Sequence, residues 1–189
     1  MSEIPRFDEA LLFARAAHSE QTRKATRVPY FAHLMGVASL VLEAGGDEDL
    51  AIAALLHDVV EDCGGRPMLK ELERRFGKRV AEIVESCSDS FTTPKPPWRE
   101  RKEYYLKHLK TAGADERLVS AADKLHNARS ILRDYRNLGE EVWQRFQGKR
   151  DGTLWYYRSL VNEFQRKHRN SLADELSEVV RELEALGTR

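Results

Sequence analysis

The sequence AIAALLHDVVED, residues 51–62, decides how the chain folds, because it is an apolar stretch that ends in charged side chains. Its alanines, leucines and valines recur at the spacing of a buried helix. The ionisable residues at its end are His57, Asp58, Glu61 and Asp62. Residues four apart share a helix face, so one continuous helix would place His57 over Glu61 and Asp58 over Asp62. The stretch therefore predicts a buried helix that ends in a cluster of one imidazole and three carboxylates.

A bound divalent metal would offset much of the cost of burying such a cluster. A single His-Asp pair is common by chance, but here His33 lies in a second apolar helical pattern and Asp123 in a third. Two histidines and two aspartates without a thiolate suit manganese, iron, cobalt or zinc in an open catalytic site. For His33 taken alone, a hydrogen-bonded core histidine is the alternative.

The composition predicts one domain over residues 1–189, because 41% hydrophobic residues suffice for one well-buried core. Lys plus Arg and Asp plus Glu both number 31, so the net charge is zero and gives no reason to expect nucleic acid as a partner.

The cysteines, Cys63 and Cys87, are too few for a disulfide framework, which favours a reducing cytoplasm. No apolar stretch has the length of a signal peptide or a membrane span, so we expect a soluble, cytoplasmic protein without a membrane partner. The sequence does not determine the oligomeric state, and a homo-oligomer is one of the open alternatives.

Helical spacing continues along the whole chain and predicts an all-α fold. A short β-hairpin near residues 22–30 is weakly signalled. C-terminal helices within residues 138–187 are expected to cover the core. The other predicted helices span residues 7–18, 29–46, 67–76, 78–87, 98–110 and 115–136.

Basic residues cluster at two places where they could meet a phosphate. Cations on a loop are usually just solvated, but Arg23 and Lys24 stand just before the helix of His33, and this position strengthens the case for phosphate binding. A second cluster begins at Lys95, where a solvated helix start is the simpler interpretation. His18 is expected to be structural, as a charge at a helix end or a buried imidazole.

Several separated motifs together resemble one known family. The chain is similar to the HD superfamily of metal-dependent phosphohydrolases, and more closely to the hydrolase domain of Rel/Spo homologues of the small alarmone hydrolase type. The match runs from about Phe7 to Arg133, so the core motifs span residues 7–133. The matching segments are ARAAHSEQTRK, PYFAHLMGVA, AALLHDVVEDC, FGKRVAEIV and ADKLHNAR.

The resemblance implies an HD-type helical bundle that removes the 3′-pyrophosphate from ppGpp or pppGpp and returns GDP or GTP. It also implies one divalent metal, usually manganese, and a guanine nucleotide as the small-molecule partner. The implied metal ligands are His33, His57, Asp58 and Asp123, and Glu61 and Asp62 would serve the attacking water. The implied substrate contacts are Arg23, Lys24, Asn127 and a tyrosine, either Tyr156 or Tyr157, of which Tyr157 is the one we predict.

The chain departs from the family pattern at Thr26, Arg27 and Val28, where glycine is common, and at Leu34 and Cys63, where proline and threonine are usual. The altered loop puts base specificity in doubt, and metal chemistry alone does not dictate the leaving group, so two other functions stay open. One is an HD phosphohydrolase that acts on another nucleotide such as NADPH. The other is an inactive module that binds the alarmone, against which the complete set of ligands argues.

Overall fold

A computed structural model describes residues 5–91, 94–167 and 169–186 of the chain. Within these residues the protein is helical and contains no strand, so the all-α prediction is confirmed. The hairpin predicted near residues 22–30 is reduced to one isolated antiparallel bridge between Thr22 and Pro29. None of the described helices combines the length and the apolar character that crossing a bilayer requires.

The chain divides into two compact units, Met1–Lys95 and Pro96–Arg189, and each is described by itself. The helices of the first unit are α1 (Arg6–Ala17), α2 (Phe31–Glu43), α3 (Glu48–Leu56), α4 (Val59–Cys63), α5 (Gly65–Phe76) and α6 (Lys78–Cys87). The second unit contains α7 (Trp98–Leu109), α8 (Ala114–Leu138), a 3-10 helix (Gly139–Arg145), α9 (Lys149–Arg166) and α10 (Ser171–Leu186).

Helix α3 is the centre of the first unit. The Asp47 side chain caps its start by accepting a hydrogen bond from the backbone N–H of Leu50 at 3.0 Å. Every residue from Leu50 to Leu56 is buried, and α3 packs against α1, α2 and α6. From Leu50 onward the helix is apolar on all sides, so it is buried on every face and has no polar face turned to solvent.

Helices α5 and α6 are amphipathic and cover one side of this core with residues such as Leu72, Phe76 and Val80. Gly77 joins them with a φ of +93°, a backbone conformation that strains any residue with a Cβ atom. The bounds of α6 are those that the sequence predicted.

Helix α8 is the long helix of the second unit. It packs against α10 and against the 3-10 helix. Its Arg117 is 1% exposed, and its guanidinium donates to the backbone carbonyls of Leu109 and Glu163. These carbonyls lie near the C-terminal ends of α7 and α9, where helices lack internal partners. One buried arginine therefore ties two helix ends to α8.

The indole of Trp98 lies in a cradle formed by Gly148 and Gly152. A Cβ atom on Gly148 would lie 2.6 Å from the indole, and one on Gly152 would lie 3.2 Å from it. The glycines therefore provide space for the ring, and α7 meets α9 here. The predicted C-terminal helices include buried Leu160 and Leu176, and their predicted end at residue 187 lies outside the described residues.

Candidate metal centre and active site

The dipeptide His57-Asp58 occupies an interruption between α3 and α4. The prediction of one continuous helix over residues 51–62 is therefore wrong: α3 ends at Leu56 and α4 begins at Val59. At the interruption Asp58 is the N-cap of α4, with a φ of −100° and a ψ of −7°, at the margin rather than the centre of the helical region. The interruption lets adjacent side chains converge, and His57 Nε2 lies 2.9 Å from Asp58 Oδ2.

His33 joins this pair from the first turn of α2. Its Nε2 lies 3.7 Å from Asp58 Oδ2, and its ring centroid lies 5.2 Å from that of His57. One ligand atom from each of the three residues falls within 4.8 Å of the others. Both imidazoles are 1% exposed. The structure thus brings together three of the predicted ligands.

The tautomer of His57 suits metal binding. Its Nδ1 lies 2.8 Å from the backbone carbonyl oxygen of Ala54. Because a carbonyl only accepts hydrogen bonds, Nδ1 carries a proton, so Nε2, which faces Asp58, is the nitrogen that can bind a metal. Two imidazole nitrogens and a carboxylate oxygen form a donor set that fits a divalent transition metal.

Tyr30 supports the cluster, a role that our sequence interpretation missed. Its hydroxyl donates to Asp58 Oδ2 at 2.5 Å, and its ring packs edge-on against His33 at 5.5 Å between centroids. The available signal was the position of Tyr30, three residues before His33 in PYFAH. Such hydrogen bonds to metal-binding carboxylates fix their orientation.

Glu61, in α4, is held by two donors. Lys95 Nζ lies 2.6 Å from its Oε1, and the backbone N–H of Asp89 donates to its Oε2 at 3.2 Å. Burial raises the pKa of Glu61, and the charges of Asp89 and Asp58 raise it further against the opposing effect of Lys95. A carboxylate with a raised pKa is a better proton acceptor than an ordinary one.

Lys95 is the second residue that our sequence interpretation underestimated, since it was taken for a solvated charge. Its ammonium contacts Glu61 and also lies 3.5 Å from Asp62 Oδ1. Burial lowers the pKa of Lys95, but its hydrogen bond to Glu61 and the nearby carboxylates outweigh burial, so the net shift is upward. Lys95 therefore stays charged and offsets part of the negative charge of the two carboxylates.

A cavity of about 390 Å³ opens beside the two carboxylates. Arg66 lies at its edge, with its guanidinium 5.1 Å from the ring centroid of Phe91. The cavity is lined by Val60, Glu61, Asp62, Gly64, Gly65, Arg66, Pro67, Ser90 and Phe91. The carboxylates of Glu61 and Asp62, the acidic pair, therefore line a cavity large enough for part of a small molecule.

Arg23 and Lys24 lie on the connection between α1 and α2. The Arg23 guanidinium is 5.7 Å from the ring centroid of Tyr30, so this side chain borders the residue that supports Asp58. Lys24 is exposed to solvent, and Ala25 after it has a φ of +55°. Substrate contact by this basic pair stays a prediction.

The remaining predicted site residues belong to the second unit. In α8, the Asp123 carboxylate accepts hydrogen bonds from Lys124 Nζ at 2.5 Å and from Asn127 Nδ2 at 2.6 Å. Asp123 is 5% exposed, so its buried carboxylate is paired with Lys124 and Asn127. The roles of Asp123 in the metal site and of Asn127 in substrate binding stay predictions.

Lys124 is a third residue that we did not single out from the sequence. Burial opposes its charge, but Asp123, Tyr105 and Tyr156 together raise its pKa well above the ordinary value. Its ammonium lies 4.7 Å from the ring centroid of Tyr105. Tyr157 is buried, with its ring centroid 6.0 Å from that of Tyr156, and the choice between the two tyrosines stays a prediction.

The sequence of the chain matches a known protein family. The model of the HD domain matches residues 10–154, which include the cluster, the acidic pair and Asp123. The chain belongs to the HD-domain family. HD-domain hydrolases bind a divalent metal, and the donors of His33, His57 and Asp58 fit such an ion.

Several relatives of this chain are named as hydrolases of guanosine 3′,5′-bis(diphosphate). The guanosine-3′,5′-bis(diphosphate) 3′-pyrophosphohydrolase MESH1 of Xenopus tropicalis is 40% identical over 138 residues, which are 71% of this chain and 72% of that protein. Human MESH1 is 38% identical over 135 residues, with 70% and 73% covered. The bifunctional (p)ppGpp synthase/hydrolase SpoT of Escherichia coli is 37% identical over 135 residues, 68% of this chain but only 18% of SpoT.

Solved structures agree with this HD-domain assignment. A metazoan orthologue of SpoT, described as hydrolysing ppGpp and acting in starvation responses, superposes with a TM-score of 0.78 at 28% identity. The match covers 96% of this chain and 97% of that one. The protein lmo0812 of Listeria monocytogenes gives a TM-score of 0.71 at 28% identity, with 83% and 99% covered.

Proposed function

We propose that this protein is a divalent-metal-dependent hydrolase that removes the 3′-pyrophosphate from ppGpp and pppGpp, giving GDP or GTP and pyrophosphate. The observation that carries the proposal is the cluster of His33, His57 and Asp58 beside the Glu61-Asp62 pair, in a chain 40% identical to a named ppGpp pyrophosphohydrolase. The proposed reaction uses a metal, a proton acceptor and groups that hold phosphate, and the chain offers candidates for each.

The metal ligands that we propose are His33, His57, Asp58 and Asp123, and manganese is the ion that we propose for them. When bound, the ion would polarise a phosphoryl oxygen and lower the pKa of a water molecule. Nitrogen and oxygen donors without a thiolate support manganese over ions that prefer sulfur.

Glu61 is the proposed acceptor of the proton that the attacking water loses. Its raised pKa and its position on the 390 Å³ cavity support this role. Asp62, on the same cavity, is proposed to orient that water. Lys95, which lies near both carboxylates, is proposed to reduce their mutual repulsion.

Substrate phosphates and base are proposed to be held by Arg23, Lys24, Asn127 and Tyr157. Cations bind phosphate oxygens through charge-assisted hydrogen bonds, and an aromatic ring stacks on a base. We propose a small-molecule nucleotide as the partner and the cytoplasm as the location, since two cysteines are too few for a disulfide framework. We also keep one domain over residues 1–189 as a proposal.

The deciding experiment measures pyrophosphate release from ppGpp by the purified protein, with and without manganese. NADPH and ordinary nucleotides serve as competing substrates in parallel reactions. Manganese-dependent release from ppGpp alone is the expected result. Turnover of another nucleotide with none of ppGpp would contradict the substrate, and no turnover at all would favour a binding module.

Two variants separate the metal from the proton acceptor. Asp58→Ala should lose metal binding and turnover together, because it removes a ligand. Glu61→Gln should bind metal normally and lose about 10²–10⁴-fold in kcat, because the amide cannot accept the proton. Glu178→Gln, an exposed change on α10, is the control. Normal kcat in Glu61→Gln would remove Glu61 from the mechanism.

A further inference from the structure

A chain of side-chain hydrogen bonds reaches the acidic pair from the buried end of α1. His18, which follows α1 and is 2% exposed, has its Nδ1 2.5 Å from Gln21 Oε1. The amide nitrogen of Gln21 then donates to Asp62 Oδ2 at 2.9 Å. A buried imidazole is thereby linked to a carboxylate of the proposed active site through one glutamine.

The direction of this chain is determined by Asp62. A carboxylate only accepts hydrogen bonds, so the amide group of Gln21 must turn its nitrogen toward Asp62. That orientation turns the Gln21 oxygen toward His18, and an amide oxygen also only accepts. Nδ1 of His18 must therefore carry a proton. Each link requires the next, so the chain has a single consistent set of donors and acceptors.

The same imidazole also supports the proposed metal cluster. The His18 ring stacks on Tyr30, with centroids 5.1 Å apart and planes inclined by 28°. Tyr30 in turn donates to Asp58 Oδ2 at 2.5 Å. His18 thus contacts two separate paths, one that ends at a proposed metal ligand and one that ends at a proposed catalytic carboxylate.

We propose that His18 and Gln21 are positioning residues, which fix the Asp62 carboxylate through the hydrogen-bond chain while His18 supports Tyr30 and Asp58 by stacking. The proposal rests on the proposed function for its effect on turnover. Its geometric part, the chain itself, is independent of which nucleotide is the substrate. The two parts are therefore tested by different measurements.

Nitrogen-15 NMR tests the chain directly. In labelled, zinc-loaded protein, under conditions where the spectrum shows the His18 ring to be neutral, His18 should carry its hydrogen on Nδ1. Gln21→Met should abolish that pattern, because it removes the acceptor. Gln165→Met, an exposed change on α9, should leave the pattern intact. A His18 hydrogen on Nε2 in the unmodified protein would overturn the proposal.

Kinetics test the effect on the site. Gln21→Glu keeps the acceptor for His18 but replaces the donor to Asp62 with a second carboxylate, and two adjacent carboxylates do not both ionise easily. We expect kcat for ppGpp to fall about 10- to 100-fold and the acid limb of its pH profile to move up by about one pH unit. KM and metal affinity should stay within about twofold, and Gln165→Glu should match the unmodified protein.

A purely structural role would give a different result. In that case Gln21→Glu would lower the melting temperature but leave kcat per folded molecule and the pH profile unchanged, and the positioning role would be overturned. His18→Phe keeps the stack on Tyr30 and removes the chain, so it should repeat the loss in kcat with metal affinity retained. If the unmodified protein does not hydrolyse ppGpp, the proposed function fails, and the NMR result alone decides the chain.

Discussion

The ion pair of Glu61 and Lys95 determines how the proposed proton acceptor responds to pH. Lys95 is the one group among the named influences that lowers the pKa of Glu61, while burial and the neighbouring aspartates raise it. Glu61 must be ionised to accept a proton, so a higher pKa removes active enzyme at the acid end of the profile.

Lys95→Gln should therefore move the acid limb of the kcat/KM profile for ppGpp to higher pH. The bound metal is common to both proteins, so it does not affect the direction of the difference. Lys70→Gln, an exposed lysine on α5, should leave the limb where it is. An unchanged limb in Lys95→Gln would show that Glu61 is not the group that titrates.

Ala25 provides a test of backbone strain. Its φ of +55° places an L-residue in the left-handed region, which costs about 1–2 kcal/mol. Ala25→Gly relieves that strain but adds freedom to the unfolded chain, so a net gain of about 0.5–1 kcal/mol is expected. Ala16→Gly, an exposed position inside α1, should lose ~1 kcal/mol. Denaturant unfolding of both variants measures whether the free energy of unfolding rises in Ala25→Gly and falls in Ala16→Gly.

The sequence predicted individual site residues better than it predicted the residues that hydrogen-bond to them. His33, His57 and Asp58 stand out because each is a polar residue inside an apolar pattern, and these three converge. The contacts of Gln21 and Lys95 with α4 were missed because they join residues 41 and 34 positions apart. No local pattern predicts such a contact, since it depends on how the loops return to the core.

At the scale of elements, helical spacing predicted where helices occur and failed where one is interrupted. The helix predicted over residues 78–87 has those bounds, and α8 begins and ends within about two residues of its prediction. The break at His57-Asp58 carries no proline or glycine that would signal it. The apolar pattern continues through the break because Val59 and Val60 remain buried.

Packing of α7 against α9 depends on the absence of a side chain at Gly148. Gly148→Ala would place its Cβ 2.6 Å from the Trp98 indole and 3.1 Å from the backbone nitrogen of Thr153. We expect a loss of about 1–3 kcal/mol in the free energy of unfolding. The double variant with Trp98→Leu should recover part of that loss, as coupled neighbours do. Additive effects of the two changes would contradict the cradle.

At the scale of the whole molecule, metal binding should appear as stability. A ligand present at 100 times its Kd stabilises by about 2.7 kcal/mol, which for a chain of 189 residues raises the melting temperature by about 5–10 °C. Calorimetry after chelation should show this rise on addition of manganese, and Asp58→Ala should show none. A rise retained in Asp58→Ala would place the ion elsewhere.

The same calorimetric scan tests the single-domain prediction. The chain divides into two compact units, Met1–Lys95 and Pro96–Arg189, each with its own buried residues. One cooperative transition is expected if the protein unfolds as one domain. Two separate transitions, of which only one responds to manganese, would assign a domain to each unit.

The interruption between α3 and α4 also matters to anyone who wishes to transplant this chemistry into a designed scaffold. On a straight helix, consecutive side chains point about 100° apart, so a grafted His-Asp dipeptide would aim its two donors in different directions. Here the donors lie 2.9 Å apart at the interruption, between the end of α3 and the start of α4. A graft would have to copy the break, together with the Ala54 carbonyl and the Tyr30 hydroxyl that orient the donors.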